Sequence, residues 1–259
     1  MKNVCELYKR TNYLNKAIQT IIGQRITEYD IKSAGFNICK HFKFLSDEIL
    51  DWLESLDRHS RHVAIGKLIK KDKELGEKMK KGFRSCRKKF FEANDVQEED
   101  VLSIKKDAIY IIAKQFDELK FDNIEFIPKN EFTSYIYLNK YEFYINEYEC
   151  QCKGIKDEKL VFHKDYMLDI IMEFCNLLKN ASKDKQLKFI KEVATAYRNK
   201  ELDMGYYREL NAESLFRPKG KIKVINQFMG FREFQMDMKY LDISYNYTHY
   251  IVPMFQMII

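Results

Sequence analysis

Two aspartates raise the question of chemistry. Asp30 closes the apolar-alternating run RITEYDI and is followed by the small-residue stretch KSAGFNI, while Asp107 stands at or just past the tip of VLSIKKDAIYII. Carboxylates brought together from adjacent strands can hold divalent cations. Two magnesium ions roughly 4 Å apart stabilise both the attacking and the leaving oxygen of phosphoryl or nucleotidyl transfer. Magnesium takes hard oxygen ligands, keeps part of its water shell and draws the rest from substrate phosphates, so two protein carboxylates can suffice. Between the two aspartates, Lys67 to Lys89 carries eleven Lys or Arg against three acids, Asp72, Glu74 and Glu77. Such a local excess is the electrostatic signature of a phosphate-rich partner; a solvated helix face is the other reading. Lys80, Arg84 and Arg87 are spaced four and three apart, with Lys88 beside them, so these side chains can project toward one target and neutralise a triphosphate.

The elements that must position these residues follow from periodicity. Residues 25–31 are short, β-branched and aromatic, the mark of a strand. In LSDEILDWLESL, residues 45–56, Leu45, Ile49, Leu53 and Leu56 share a helical face; Ser46 is placed to cap it, with Asp47 and Glu48 in the first turn. A longer helical pattern runs from about Ser60 to Asn94, and Gly66, Gly76 and Gly82 within it predict a bend or a break into two helices. Residues 101–112 predict a hairpin, 121–127, 131–138 and 140–146 predict strands, and Asp165 to about Asn211 is again helical. The order strand, helices, hairpin, sheet, helices lacks the βαβ rhythm of a doubly wound sheet and predicts an α+β fold. The tail YIVPMFQMII reads as a buried final element.

Bulk composition narrows the function classes. With 259 residues, 46% of them apolar, and only 9 glycines and 3 prolines, the chain can build a sizeable core. No apolar run reaches the roughly 20 residues a membrane span needs. The opening MKNVCELYKRTNYLNK lacks the apolar block of an export signal, so the expected location is cytoplasmic, in the host cell if the origin is viral. The six cysteines show no repeating spacing and are expected to be reduced thiols. Cys150, Cys152 and His163 lack a second ligand pair for zinc, and nothing completes a set around His59 and His62.

The order of these pieces resembles the palm and fingers of family B DNA polymerases, in a minimal, divergent form suited to a virus or mobile element. YDIKSAGFNI is similar to that family's first motif, an aspartate followed by Ser and ending in an apolar residue; IKKDAIYI is similar to its third, with Asp107 as the retained aspartate. NKYEFYI resembles the Lys-Tyr element, giving Lys140 and Tyr141, and CKGIKDE the Lys-Gly element, giving Lys153 and Gly154. The similarity covers roughly residues 25–180. It implies a palm-like core over 1–160 with a helical fingers insertion at about 41–95, and a mainly helical, thumb-like region over 161–259. It also implies Mg2+ or Mn2+ on Asp30 and Asp107, triphosphate contacts from Lys80, Arg84, Arg87 and Lys88, and nucleic-acid contacts from Lys140, Tyr141, Lys153 and Gly154. Lys105 stands where the family has a further aspartate, and Gly35 where it has a sugar-gating Tyr, so Phe36 is the candidate to take that role. The second motif has no clean match, and no exonuclease domain precedes the first strand.

Three functions compete. The first is a minimal, non-proofreading polymerase acting on nucleic acid and nucleoside triphosphate. The second is an inactive palm-derived nucleic-acid-binding protein working within a larger replication or transcription assembly. The third is an interaction module whose basic helix docks an acidic protein. The aromatics Tyr135, Tyr137, Tyr141, Phe143 and Tyr144 could stack on bases or, at strand spacing, pack in a core.

Overall fold

The computed structural model describes residues 5–138, 141–154, 164–199, 201–202 and 252–258. The fold is α+β, and the chain divides into two compact units: residues 1–18 with 24–132, and residues 19–23 with 133–259. The expected boundary near residue 160 falls outside the described residues, as do Lys140 and His163.

The first unit carries both aspartates. Its strands are β1 (Asn12–Leu14), β2 (Thr20–Ile31, from residue 24 onward), β3 (Val101–Lys105), β4 (Ala108–Ile112), β5 (Lys120–Phe121) and the first part of β6 (Ile124–Leu138). They lie in the order β1-β3-β4-β2-β6, with β5 paired to β6. The β1–β3, β3–β4 and β4–β2 pairings are antiparallel. Strand alternation sends Tyr29 and Ile31 of β2, with Ile109 and Ile111 of β4, into one hydrophobic core. Helices α1 (Ala34–His41), α2 (Asp47–Ser55), α3 (Arg58–Lys71) and α4 (Lys73–Ala93) supply the rest of that core through Phe36, Leu53, Ile65 and Phe90, among others.

The break in the long helical pattern falls at Asp72, not at a glycine. Asp72 ends α3 and caps α4, its carboxylate accepting from the backbone N–H groups of Glu74 (2.8 Å) and Leu75 (3.1 Å). Gly66, Gly76 and Gly82 all lie inside unbroken helices. Gly82 is where α4 comes closest to its neighbours: a Cβ there would sit 2.6 Å from Ile38 Cγ2 and 3.2 Å from Phe44. Ser46 occupies the cap position of α2 as expected, but its side chain makes no capping bond. Helix α1 and strand β1 go beyond the sequence reading. Helix α1 starts from Ser33 in the left-handed region (φ 46), a conformation local patterning gives little hint of.

In the second unit, the end of β6 pairs antiparallel with β7 (Tyr141–Ile145), and β7 with β8 (Cys150–Lys153). Helices α5 (Lys164–Asn180), α6 (Lys183–Asn199) and α7 (Val252–Ile258) belong to the same unit. Ile136, Phe143, Cys150, Phe174, Ile190 and Met254 meet in its core, with Phe255 and Met257 of the tail packed against it in part. Cys150 and Cys152 are part of that core, where burial drives both thiols up, Cys152 to about 12. Among the described residues no helix is long and apolar enough to cross a membrane.

Candidate functional site

The hairpin that presents Asp107 is tight. Lys105 pairs with Ala108, leaving Lys106 and Asp107 as a two-residue connection. Lys106 adopts φ 58, the left-handed start that such turns favour and that an L-residue enters at a cost of about 1 kcal/mol. Neighbouring groups hold it there. The Lys106 N–H donates to the Thr11 carbonyl (2.8 Å), and the Lys106 carbonyl accepts from the Arg87 guanidinium.

Strand β4, which leaves this turn, lies against β2, and their register ends on the pair Tyr29–Ile109. One step further along each strand stand Asp30 and the start of β4, so the two aspartates become neighbours across adjacent strands. Their coupling is visible in Asp107, which is half-buried. Burial first, and then the charge of Asp30, raise its carboxyl above the usual range, with Lys129 and Lys106 pulling the other way. Asp30 Oδ2 accepts from Lys129 Nζ at 3.0 Å, while Asp30 Oδ1 is buried with no hydrogen-bond partner. The Asp30 side chain is 18% exposed and that of Lys129 49%, so the pair opens to solvent on the lysine side.

Three residues join the site that sequence patterning did not single out. Glu28 alternates with Asp30 and therefore faces the same way from β2; it is buried and accepts from Asn130 Nδ2 at 2.6 Å. Lys129 and Asn130 lie within β6, in the interval after Pro128 that separates the two strand segments expected there. The bond to Asp30, with the nearby charges of Glu28 and Asp107, raises Lys129 above the ordinary lysine range, so it stays an ammonium. The i, i+2 acids of TEYD, and the polar run KNE inside β6, are the signals that could have found these residues. Among the described residues no three or more His, Cys, Asp or Glu side chains form a metal-binding group. The centre holds the carboxylates of Asp30 and Asp107, with Glu28 beside them and Lys129 as a resident cation.

The remaining candidate residues separate. Arg87 is not part of an exposed triphosphate-binding row: at 1% exposure it is among the most buried side chains of the chain. Its Nε donates to the Tyr8 carbonyl (3.1 Å) and its terminal nitrogen to Lys106. Burial and the neighbouring charge of Arg84 lower the Arg87 guanidinium to about 10, with Asp107 opposing the shift. Arg87 therefore steadies the hairpin tip from beneath. Lys80, Arg84 and Lys88 are exposed on α4, with Lys80 bonded to Glu77 (2.6 Å) and Lys88 to Glu92 (3.4 Å).

Phe36 is a core residue. Its ring lies 4.7 Å beneath the Arg61 guanidinium and 5.5 Å from Lys40 Nζ, so the sugar-gating role finds no free ring there. Tyr141 is fully buried in the second core, and a ring enclosed by Ile136, Phe143 and their neighbours offers no face to a base. Tyr135, Phe143 and Tyr144 are equally buried, so packing, not base stacking, accounts for most of these aromatics. Lys153 ends β8 opposite Glu142, and Gly154 follows it at φ 100.

Comparison with protein families gives a match that spans the chain. The model described as Bacteriophage PBS1 gene 130 protein covers residues 1–259, and the chain belongs to that family. No curated protein matches the sequence.

Proposed function

We propose that this member of the bacteriophage family is a cation-dependent nucleotidyltransferase acting on a nucleic-acid end, as a template-dependent polymerase does. The observation that carries the reading is the meeting of Asp30 and Asp107 from β2 and the β3–β4 turn, close enough for one charge to raise the other's pKa. Two like charges held together in a half-buried place form an arrangement that a cation relieves. The unpartnered, buried Asp30 Oδ1 gives such a cation an oxygen that nothing in the protein satisfies. Magnesium or manganese on these carboxylates would supply Lewis-acid stabilisation of the reacting oxygens. The chain's own residues do the rest: Arg87 fixes the turn that carries Asp107, Lys129 holds the charge balance of the site, and exposed Lys80, Arg84 and Lys88 provide positive charge for phosphates.

The test is magnesium- or manganese-dependent incorporation of a labelled nucleotide on a primed template. Incorporation by the wild type and its loss in Asp30→Asn and again in Asp107→Asn support the reading; incorporation that survives either change overturns it.

One observation favours a second reading. Lys129 already neutralises Asp30 from within the protein, as in a palm-derived protein that grips nucleic acid without chemistry. In that case primed template binds with a steep salt dependence. Binding then persists in both asparagine variants, and no manganese is taken up.

A further inference from the structure

Helix α3 leaves Val63 exposed and covers Ala64, Leu68 and Ile69 only in part. Ile65 is the one residue it buries fully, and together with α2 it frames an open groove of about 550 Å³. Trp52 and Leu56 line one side and Val63 and Leu68 the other, with Lys67 and Lys71 completing the lining. Trp52 is 50% exposed and Val63 40%, two of the few large apolar side chains so exposed among the described residues. No carboxylate lines the groove. Neither Lys67 nor Lys71 has an ion-pair partner among the described residues, whereas Lys78, Lys80, Lys88 and Lys89 of the adjoining helix all do.

We propose that this groove is a docking site for a short amphipathic helix of a protein partner, apolar along one face and acidic beside it. The groove follows α3 from His59 to Lys71, thirteen residues or roughly 18 Å of helix, the length of about three turns in an occupant. An apolar stripe at i, i+3, i+4 and i+7 matches the row offered by Trp52, Leu56, Val63 and Leu68. Acids flanking that stripe find two lysines that have no ion-pair partner among the described residues. Single-stranded nucleic acid fits less well. Base stacking draws on successive aromatic faces, and this groove has one aromatic amid aliphatic side chains. The proposal is independent of nucleotidyl transfer, since no residue of the carboxylate site takes part.

The chain's sole tryptophan makes the groove its own reporter. The experiment pans a displayed library of helical 15-residue peptides against the full chain, counter-selecting on the Lys67→Glu/Lys71→Glu variant. Circular dichroism first confirms that this variant folds; should it not, Lys67→Gln/Lys71→Gln replaces it. Expected are enriched peptides with an apolar stripe flanked by Asp or Glu that shift Trp52 emission to the blue. Their affinity should fall at least tenfold in the lysine variant. The proposal is overturned if no peptide distinguishes the two proteins, or if the enriched peptides carry no acidic bias. It is also overturned if a 15-nucleotide oligo-dT alone perturbs Trp52 with the same lysine dependence, which would make the groove a nucleic-acid surface.

Discussion

Asp107 illustrates a side chain placed against its own preference. Because its pKa is raised in the fold, the folded state binds the proton more tightly than the unfolded chain. Ionised Asp107 therefore costs stability at neutral pH, and that cost fades as pH falls through its folded-state value. Asp107→Asn should melt at a higher temperature than wild type at pH 7, with the difference shrinking toward acid; scans across pH check both halves. Lys129 makes the complementary case. On the proposed reading its ammonium, bonded to Asp30 Oδ2, competes electrostatically with a divalent cation at the same carboxylate. Lys129→Gln should therefore tighten manganese binding by about tenfold, read by electron paramagnetic resonance without any turnover. An unchanged or weaker affinity would show that the ammonium is no competitor. Arg87→Met strands the Tyr8 and Lys106 carbonyls without their donor and should cost roughly 2–4 kcal/mol in urea denaturation. Arg87→Lys should restore little, because a single ammonium cannot reproduce the planar fork.

At the scale of elements, the glycines of the long helical pattern have opposite consequences. Gly66 faces open space, so Gly66→Ala should stabilise by about 0.5–1 kcal/mol through helix propensity alone. Gly82→Ala gains the same propensity but drives a methyl into Ile38, Phe42 and Phe44, and should be net destabilising by about 1–3 kcal/mol. Thermal melts of the two variants, one rising and one falling, test the packing of α4 against α1. Sequence alone made the helical pattern and the hairpin legible, because each is a local periodicity. It misplaced the helix break because glycine is only a permissive signal, whereas Asp72 acts through two specific capping bonds. It took Arg87 for a surface residue because Lys80 and Arg84 share its row. What buries it is the meeting of α4 with the Tyr8 carbonyl and the hairpin tip, which are distant in sequence.

For the molecule as a whole, each unit has its own apolar core, and all six cysteines are free. Five are buried and Cys5 is half-buried, its thiol raised chiefly by burial. An aromatic disulfide reagent at neutral pH should therefore react slowly with Cys5 alone in the native chain and rapidly with all six thiols in denaturant. Fast labelling of several thiols without denaturant would contradict this packing. The α+β class and the placement of Asp30 and Asp107 at the ends of neighbouring strands could be anticipated from the chain's order of elements. The partnership of Asp30 with Lys129 could not, since it depends on which strand lies next to β2, a matter of tertiary pairing that no local window contains.

The joint at Asp72 has a consequence for chain length. One residue both ends α3 and begins α4, so no slack separates the two helical screws. Adding a single amino acid just after Asp72, inside the first turn of α4, would turn the rest of that helix by about 100° relative to its capped start. Gly82 would rotate off Ile38 and the guanidinium of Arg87 would swing away from the hairpin it braces. Insertions at this point should thus be far more harmful than any substitution of the same residue.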